Sequence, residues 1–123
     1  MDLERDLNLS REIMLLIENN NDDRNEPDFP SEWSREVIVY HVKILEQAGY
    51  VKSKVFWADN KPIMITSSLT WEGHEFLDSI KNDNIWNKTK DGIKEKGLEL
   101  GSVPLSVVKD FALMQMKSLF GVD

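Results

Sequence analysis

The sequence predicts an α+β domain that is mostly helical, with one two-stranded β-hairpin and extra helices towards its C-terminal end. Three observations predict it. Apolar residues return every three to four positions through most of the chain, the mark of amphipathic helices. In one stretch, "YVKSKVFWADNKPIMITSSL", the period shortens towards two and the composition turns β-branched and aromatic around a turn-forming centre. Finally, 123 residues fit one domain of ordinary size, so residues 1–123 are read as a single unit.

Residues 3–19 read as the first helix, with Leu3, Leu7, Ile13, Leu16 and Ile17 inward and the Arg11-Glu12 pair among polar neighbours. A polar loop follows at 19–33. Its "NNNDDRNEPDFP" is too rich in Asn, Asp and Pro to bury much surface. Ser34 is a good N-cap for a helix over 34–48, whose inward stripe is Ile38, Val42, Leu45 and Ala48, and Gly49 ends it. The hairpin then runs to Leu69 with "ADNKP" at its basic, polar tip. Thr70 caps a helix over about 71–82. Gly73 should weaken that helix by about 1 kcal/mol relative to alanine. However, Gly73, Phe76, Leu77 and Ile80 share one stripe, so the missing side chain is expected to let the helix approach a neighbour closely.

Two C-terminal helices complete the reading, at 84–97 and 103–120. The first is capped at Asp83 or Asn84, carries Ile85, Trp86 and Ile93, and closes at Gly97. The second takes Pro104 in its first turn. Its apolar residues (Leu105, Val107, Val108, Phe111, Leu113, Met114, Met116, Leu119, Phe120) occupy more than one face. Such a helix wants burial on two sides. Its own domain supplies one; a second copy is the most economical supplier of the other, giving a homodimer through the terminal helices.

Composition narrows the function. With no cysteine, disulfides, thiolate zinc sites and cysteine nucleophiles are excluded. No stretch reads as a signal peptide or a membrane span, so a cytoplasmic protein without a membrane partner is expected. The net charge of −7 opposes an obvious nucleic-acid binder. Its distribution matters more: residues 1–33 hold ten acidic and three basic groups, and the remainder is neutral. Within 34–61, five basic groups oppose three acidic ones, a faint positive bias.

A helix ending in "AGY" that feeds a β-hairpin, followed by "LTxxGxxFL", resembles the winged-helix domain. The polar loop stands where the middle helix of its helix-turn-helix would be, with at most one short turn around "PSEW". The stretches "RDLNLSREIMLLIE", "YHVKILEQAGYV", "LTWEGHEFLDSIKNDNIW" and "VVKDFALMQMKSLFG" resemble the bacterial and phage family known as domain of unknown function 2513. That resemblance spans nearly the whole chain apart from the loop and wing tip. It implies a small intracellular protein, common around prophages and mobile elements, with no assigned activity.

In a winged helix, residues 34–48 occupy the recognition position, and Arg35, Glu36, Tyr40, Lys43 and Gln47 face outward. Arg, Lys and Gln side chains read base edges in the major groove, and wing lysines contact phosphates. The candidate nucleic-acid-binding set is therefore Arg35, Tyr40, Lys43, Gln47, Lys52, Lys54 and Lys61. Glu36 and Glu46 share that helix and repel phosphates. His41 is expected to face inward. His74, with Trp71 and Asp78 at spacings of three and four, has the right types for two metal ligands but no supporting motif, so both histidines are read as core-edge imidazoles. No metal or cofactor is expected. No phosphate loop, carboxylate pair or nucleophile elbow is present in the sequence, and the protein is not expected to be an enzyme. Trp71, Phe76 and Trp86 are assigned to the core, whereas one of Phe56 and Trp57 is expected to be exposed near the wing tip as a partner contact.

Two functions follow. The first is a small DNA-binding regulator of a phage or mobile element, acting in transcription regulation on double-stranded DNA. The alternative is a protein–protein interaction module, an adaptor or inhibitor of a host factor, that does not bind DNA. Electrostatics separate them. Lysines converging on one face favour duplex DNA, and carboxylates set between them oppose it.

Overall fold

Asp6 starts the first helix. Its carboxylate accepts the Leu9 backbone N–H, so α1 (Leu7–Glu18) begins four residues later than apolar periodicity suggests. Leu3 lies outside it. The computed structural model describes residues 3–121. After α1, residues 19–34 run without a helix, with turns at Asp23–Arg24 and Ser31–Glu32. Helix α2 (Arg35–Gln47) follows; Ser34 holds the extended N-cap conformation, but its side chain makes no capping bond. Gly49 has φ +86°, which lets the Gly49 and Tyr50 N–H groups turn back onto the Glu46 and Leu45 carbonyls and close α2.

Strands β1 (Val51–Ala58) and β2 (Lys61–Leu69) pair antiparallel, from Val51 opposite Leu69 to Ala58 opposite Lys61. The turn is tighter than "ADNKP" suggests. Asp59 and Asn60, at φ 52° and 63°, form a two-residue connection, which their short polar side chains tolerate. The register shifts between Phe56 and Trp57, where Ile63 is left without an opposite residue.

Helices α3 (Trp71–Ile80), α4 (Asp83–Glu95) and α5 (Leu105–Leu119) complete the chain, with a 3-10 turn at Leu100–Ser102 before α5. The core lies between α1, α2, the inner face of the hairpin and α3, where Ile13, Met14, Ile38, Val42, Leu45, Ile65, Phe76 and Leu77 are buried. This is the expected α+β arrangement of helices around one hairpin wing.

The joint between wing and α3 explains Gly73. The Thr70 hydroxyl donates to the Gly49 carbonyl and accepts the Gly73 N–H, while the Thr70 N–H donates to the Tyr50 carbonyl. A Cβ on Gly73 would lie 1.9 Å from that same Tyr50 carbonyl oxygen. The expected close approach is real, and its neighbour is backbone.

The far end of α3 differs from expectation. The cap of α4 is Asn82, whose side chain accepts the Ile85 N–H, so α3 stops at Ile80. Arg11 does not sit on the polar side of α1. It is buried, and its guanidinium donates to the Ile80 and Lys81 carbonyls and to the Asp83 carboxylate. A side chain of α1 thereby satisfies carbonyls left over where α3 ends and places positive charge against its negative pole.

Three more expectations are corrected. Trp71 is 74% exposed, because it opens α3 on the side away from the core stripe. His74, next along that outer side, is exposed as well. In α5, Leu105, Val108 and Ala112 are buried while Leu113, Met114, Leu119 and Phe120 are exposed. Pro104 stands just before that helix rather than in its first turn.

Candidate functional site

A cleft of about 340 Å³ opens between the outer side of α2 and the wing tip. The α2 side contributes Glu36, Val39, Tyr40 and Lys43, four positions that one turn-by-turn stripe brings to the same face. The wing contributes Trp57, Asn60, Lys61 and Pro62, and Leu3 closes one end. Trp57 arrives there by strand alternation: it shares the α2-facing side of β1 with Val51, Ser53 and Val55. Beyond the edge of the sheet it has little cover and remains 55% exposed, while Phe56 is half-buried. Of the adjacent pair, Trp57 is the exposed ring. Pro62 and Ile63 extend this apolar rim, Ile63 at 60% exposure, towards Ser34 and Arg35.

The seven candidate residues do not share this site. Lys43 and Lys61 line the cleft together with Glu36 of α2. Tyr40 borders it, edge-on to the His41 ring at 5.2 Å. On its other side Tyr40 borders a second hollow with Glu4, Arg5 and Glu99. Lys52 and Lys54 stand on the opposite face of β1, beside Asp23 of the polar loop. Lys54 also reaches over the Phe56 ring, 5.1 Å from its centroid. Gln47 lies apart, near Arg5, Tyr50 and Leu105.

Arg35 does not project outward as the helical phase suggested. Both terminal nitrogens donate to the Glu26 carboxylate, which holds the guanidinium more firmly protonated than usual. Glu26 Oε1 also accepts the Ile65 backbone N–H, so the pair ties the polar loop to α2 and β2. Glu46, though exposed, reaches across to the hairpin, where it accepts the Ser53 N–H.

The buried histidine is structural. His41 Nε2 accepts the Asp6 backbone N–H, and Nδ1 contacts the Val37 carbonyl oxygen. A backbone N–H only donates and a carbonyl only accepts, so the ring is the neutral tautomer protonated on Nδ1. Neither nitrogen is left for a metal. Among the described residues no group of three or more His, Asp or Glu side chains is placed to hold one. Ser67 Oγ is buried without a hydrogen-bond partner among the described residues, hence without a base to activate it.

Trp57 was legible from alternation. Pro62, Ile63 and Val39 were not, because a register shift near the tip leaves no mark in composition, and Val39 reads as an ordinary member of an apolar helix.

A family model described as "Hypothetical protein (DUF2513)" matches residues 4–99. The chain is also similar to an uncharacterized protein of Haemophilus influenzae, 34% identical over 116 residues that cover 93% of this chain and 98% of that one. No solved structure matches.

Proposed function

The chain belongs to the family described as Hypothetical protein (DUF2513), and we propose that it serves as a protein-recognition module whose α2–wing cleft binds a short peptide segment of a partner. One observation carries this reading: the candidate lysines fall in two separate hollows, each shared with a carboxylate, whereas the hollow of Lys43 and Lys61 is also a largely apolar cleft. Glu36 stands with Lys43 and Lys61, Asp23 with Lys52 and Lys54, and Glu4 and Glu99 flank Tyr40. A carboxylate beside each group of lysines opposes the phosphate contacts that drive duplex binding, and the clustered basic stripe usual for it is missing.

The cleft suits a peptide better. Trp57, Tyr40, Val39 and Pro62 offer apolar and aromatic walls, and Trp and Tyr are the residue types that dominate recognition energies when they become covered. Lys43 and Lys61 at the rim select an acidic residue beside the apolar anchor. The membrane plays no part in this reading, and no helix among the described residues is long and apolar enough to cross one.

The test uses a random-peptide display library and a random-sequence DNA duplex against the full chain. Enriched peptides should share an apolar anchor next to Asp or Glu and lose at least tenfold in affinity on Trp57→Ala. A mobility shift of the duplex at about 50 mM salt that weakens with Lys43→Ala and with added salt would replace this reading with the DNA-binding one. Failure to enrich any peptide would also overturn it.

A further inference from the structure

The outer face of α5 has no partner within the described chain. Ser106, Asp110, Leu113, Lys117 and Phe120 recur at alternating steps of four and three, so they form one stripe, with Met114 beside Leu113. All six are exposed, Met114 at 62% and Phe120 at 69%. The inward stripe of Leu105, Val108 and Ala112 lies elsewhere on the helix, against α3 and α4. Neither Asp110 nor Lys117 makes an ion pair among the described residues.

The order of groups along this stripe is self-complementary in one direction only. Asp110 and Lys117 stand at equal distances on either side of the Leu113–Met114 midpoint. If two copies of α5 lie antiparallel across a two-fold axis at that midpoint, Asp110 of each faces the lysine of the other, and Leu113 and Met114 fill the centre. Phe120 then reaches over Val107 of the second copy. A parallel two-fold pairing instead sets aspartate against aspartate and lysine against lysine. We infer that the outer face of α5 docks a second copy of this chain, antiparallel, through an apolar centre flanked by two reciprocal Asp110–Lys117 pairs. Isologous two-fold dimers of this kind are the commonest closed homo-oligomers.

The size of the face fixes the strength. Fifteen residues of helix span about 22 Å. One helix face of that length falls well below the ~800 Å² per partner of a standard stable interface. A face of that size favours a weak, reversible dimer. The inference is independent of the cleft, since α5 contributes none of its lining residues.

Sedimentation equilibrium of the full chain, from a few micromolar to a few hundred, tests it. The wild type should pass from monomer to dimer across that range. Asp110→Lys alone and Lys117→Asp alone each turn two attractive pairs into two repulsive ones, and each should weaken dimerisation on the order of tenfold or more. Mixing the two variants restores both pairs across the interface, so an equimolar mixture should dimerise as the wild type does. Positions 110 and 117 are too far apart on one helix to compensate each other internally, so recovery in the mixture reports the antiparallel contact itself. Circular dichroism of each exposed-site variant controls for folding. A wild type that stays monomeric throughout overturns the inference, as does a dimer indifferent to both single reversals or a mixture that fails to recover.

Discussion

The joint at the two ends of α3 and the tip of the wing follow opposite rules. At the joint, each residue that looks out of place has a partner. Gly73 lies against the Tyr50 carbonyl, and buried Arg11 spans the Ile80 and Lys81 carbonyls. At the tip, residues that look ordinary in the sequence lack cover: Trp57 and Ile63 are both more than half exposed. A buried polar group must be satisfied or the fold loses the full cost of its desolvation, so satisfied oddities mark architecture. An uncovered cluster of large apolar side chains contributes nothing to the isolated domain, and marks a surface for something else.

Breaking the joint should therefore be costly, most of all at Gly73. Helix propensity alone predicts that Gly73→Ala stabilises the protein by about 1 kcal/mol. Contact with Tyr50 predicts the reverse, because the obstacle is backbone and cannot rotate away. The expected result is a loss of about 3 kcal/mol, read from the urea midpoint at unchanged slope. A gain would mean that the hairpin end yields easily and that the joint is not tight. Arg11→Met comes next. It keeps the apolar stem but leaves the Ile80 and Lys81 carbonyls without their donor, and should lose about 2 kcal/mol in the same measurement. Arg11→Lys, with a single ammonium in place of a fork, keeps one donor and should lose less than Arg11→Met.

The sequence carried the fold further than the site, for a physical reason. Helices, hairpin and the Gly73 contact all follow from periodicity and capping, which are local. Thr70 caps α3 as its type suggests, and Gly49 closes α2 with positive φ. Arg11 was misread because its role depends on where α3 ends, some seventy residues later in the chain. Arg35 was misread for the same reason: only the folded loop brings Glu26 to it. Trp71 and His74 show that aromatic character does not assign burial when a residue opens a helix on its outer side. The separation of Lys52 and Lys54 from the cleft was implicit in strand alternation, since they share one side of β1 and Trp57 takes the other. The tip of the cleft was not, because the register shift at Phe56 and Trp57 resets which residues of β2 face α2.

The smallest expected effect sharpens the comparison most. Replacing a buried tryptophan by alanine removes about 3–5 kcal/mol of stability. Trp57 is the same residue type, yet its exposed ring rests only partly on the cleft wall. Trp57→Ala should therefore change stability by no more than about 0.5 kcal/mol, within the ordinary range of surface substitutions. Ile63→Ser, at the unpaired position of β2, should be equally mild. The same Trp57→Ala protein is the one expected to lose the selected peptide, so one variant reads both quantities. Intact stability with lost binding places the tip outside the folding core and inside the recognition surface. A loss of stability near the buried value would instead make Trp57 a structural residue of the wing, and the tip would then obey the same rule as the joint.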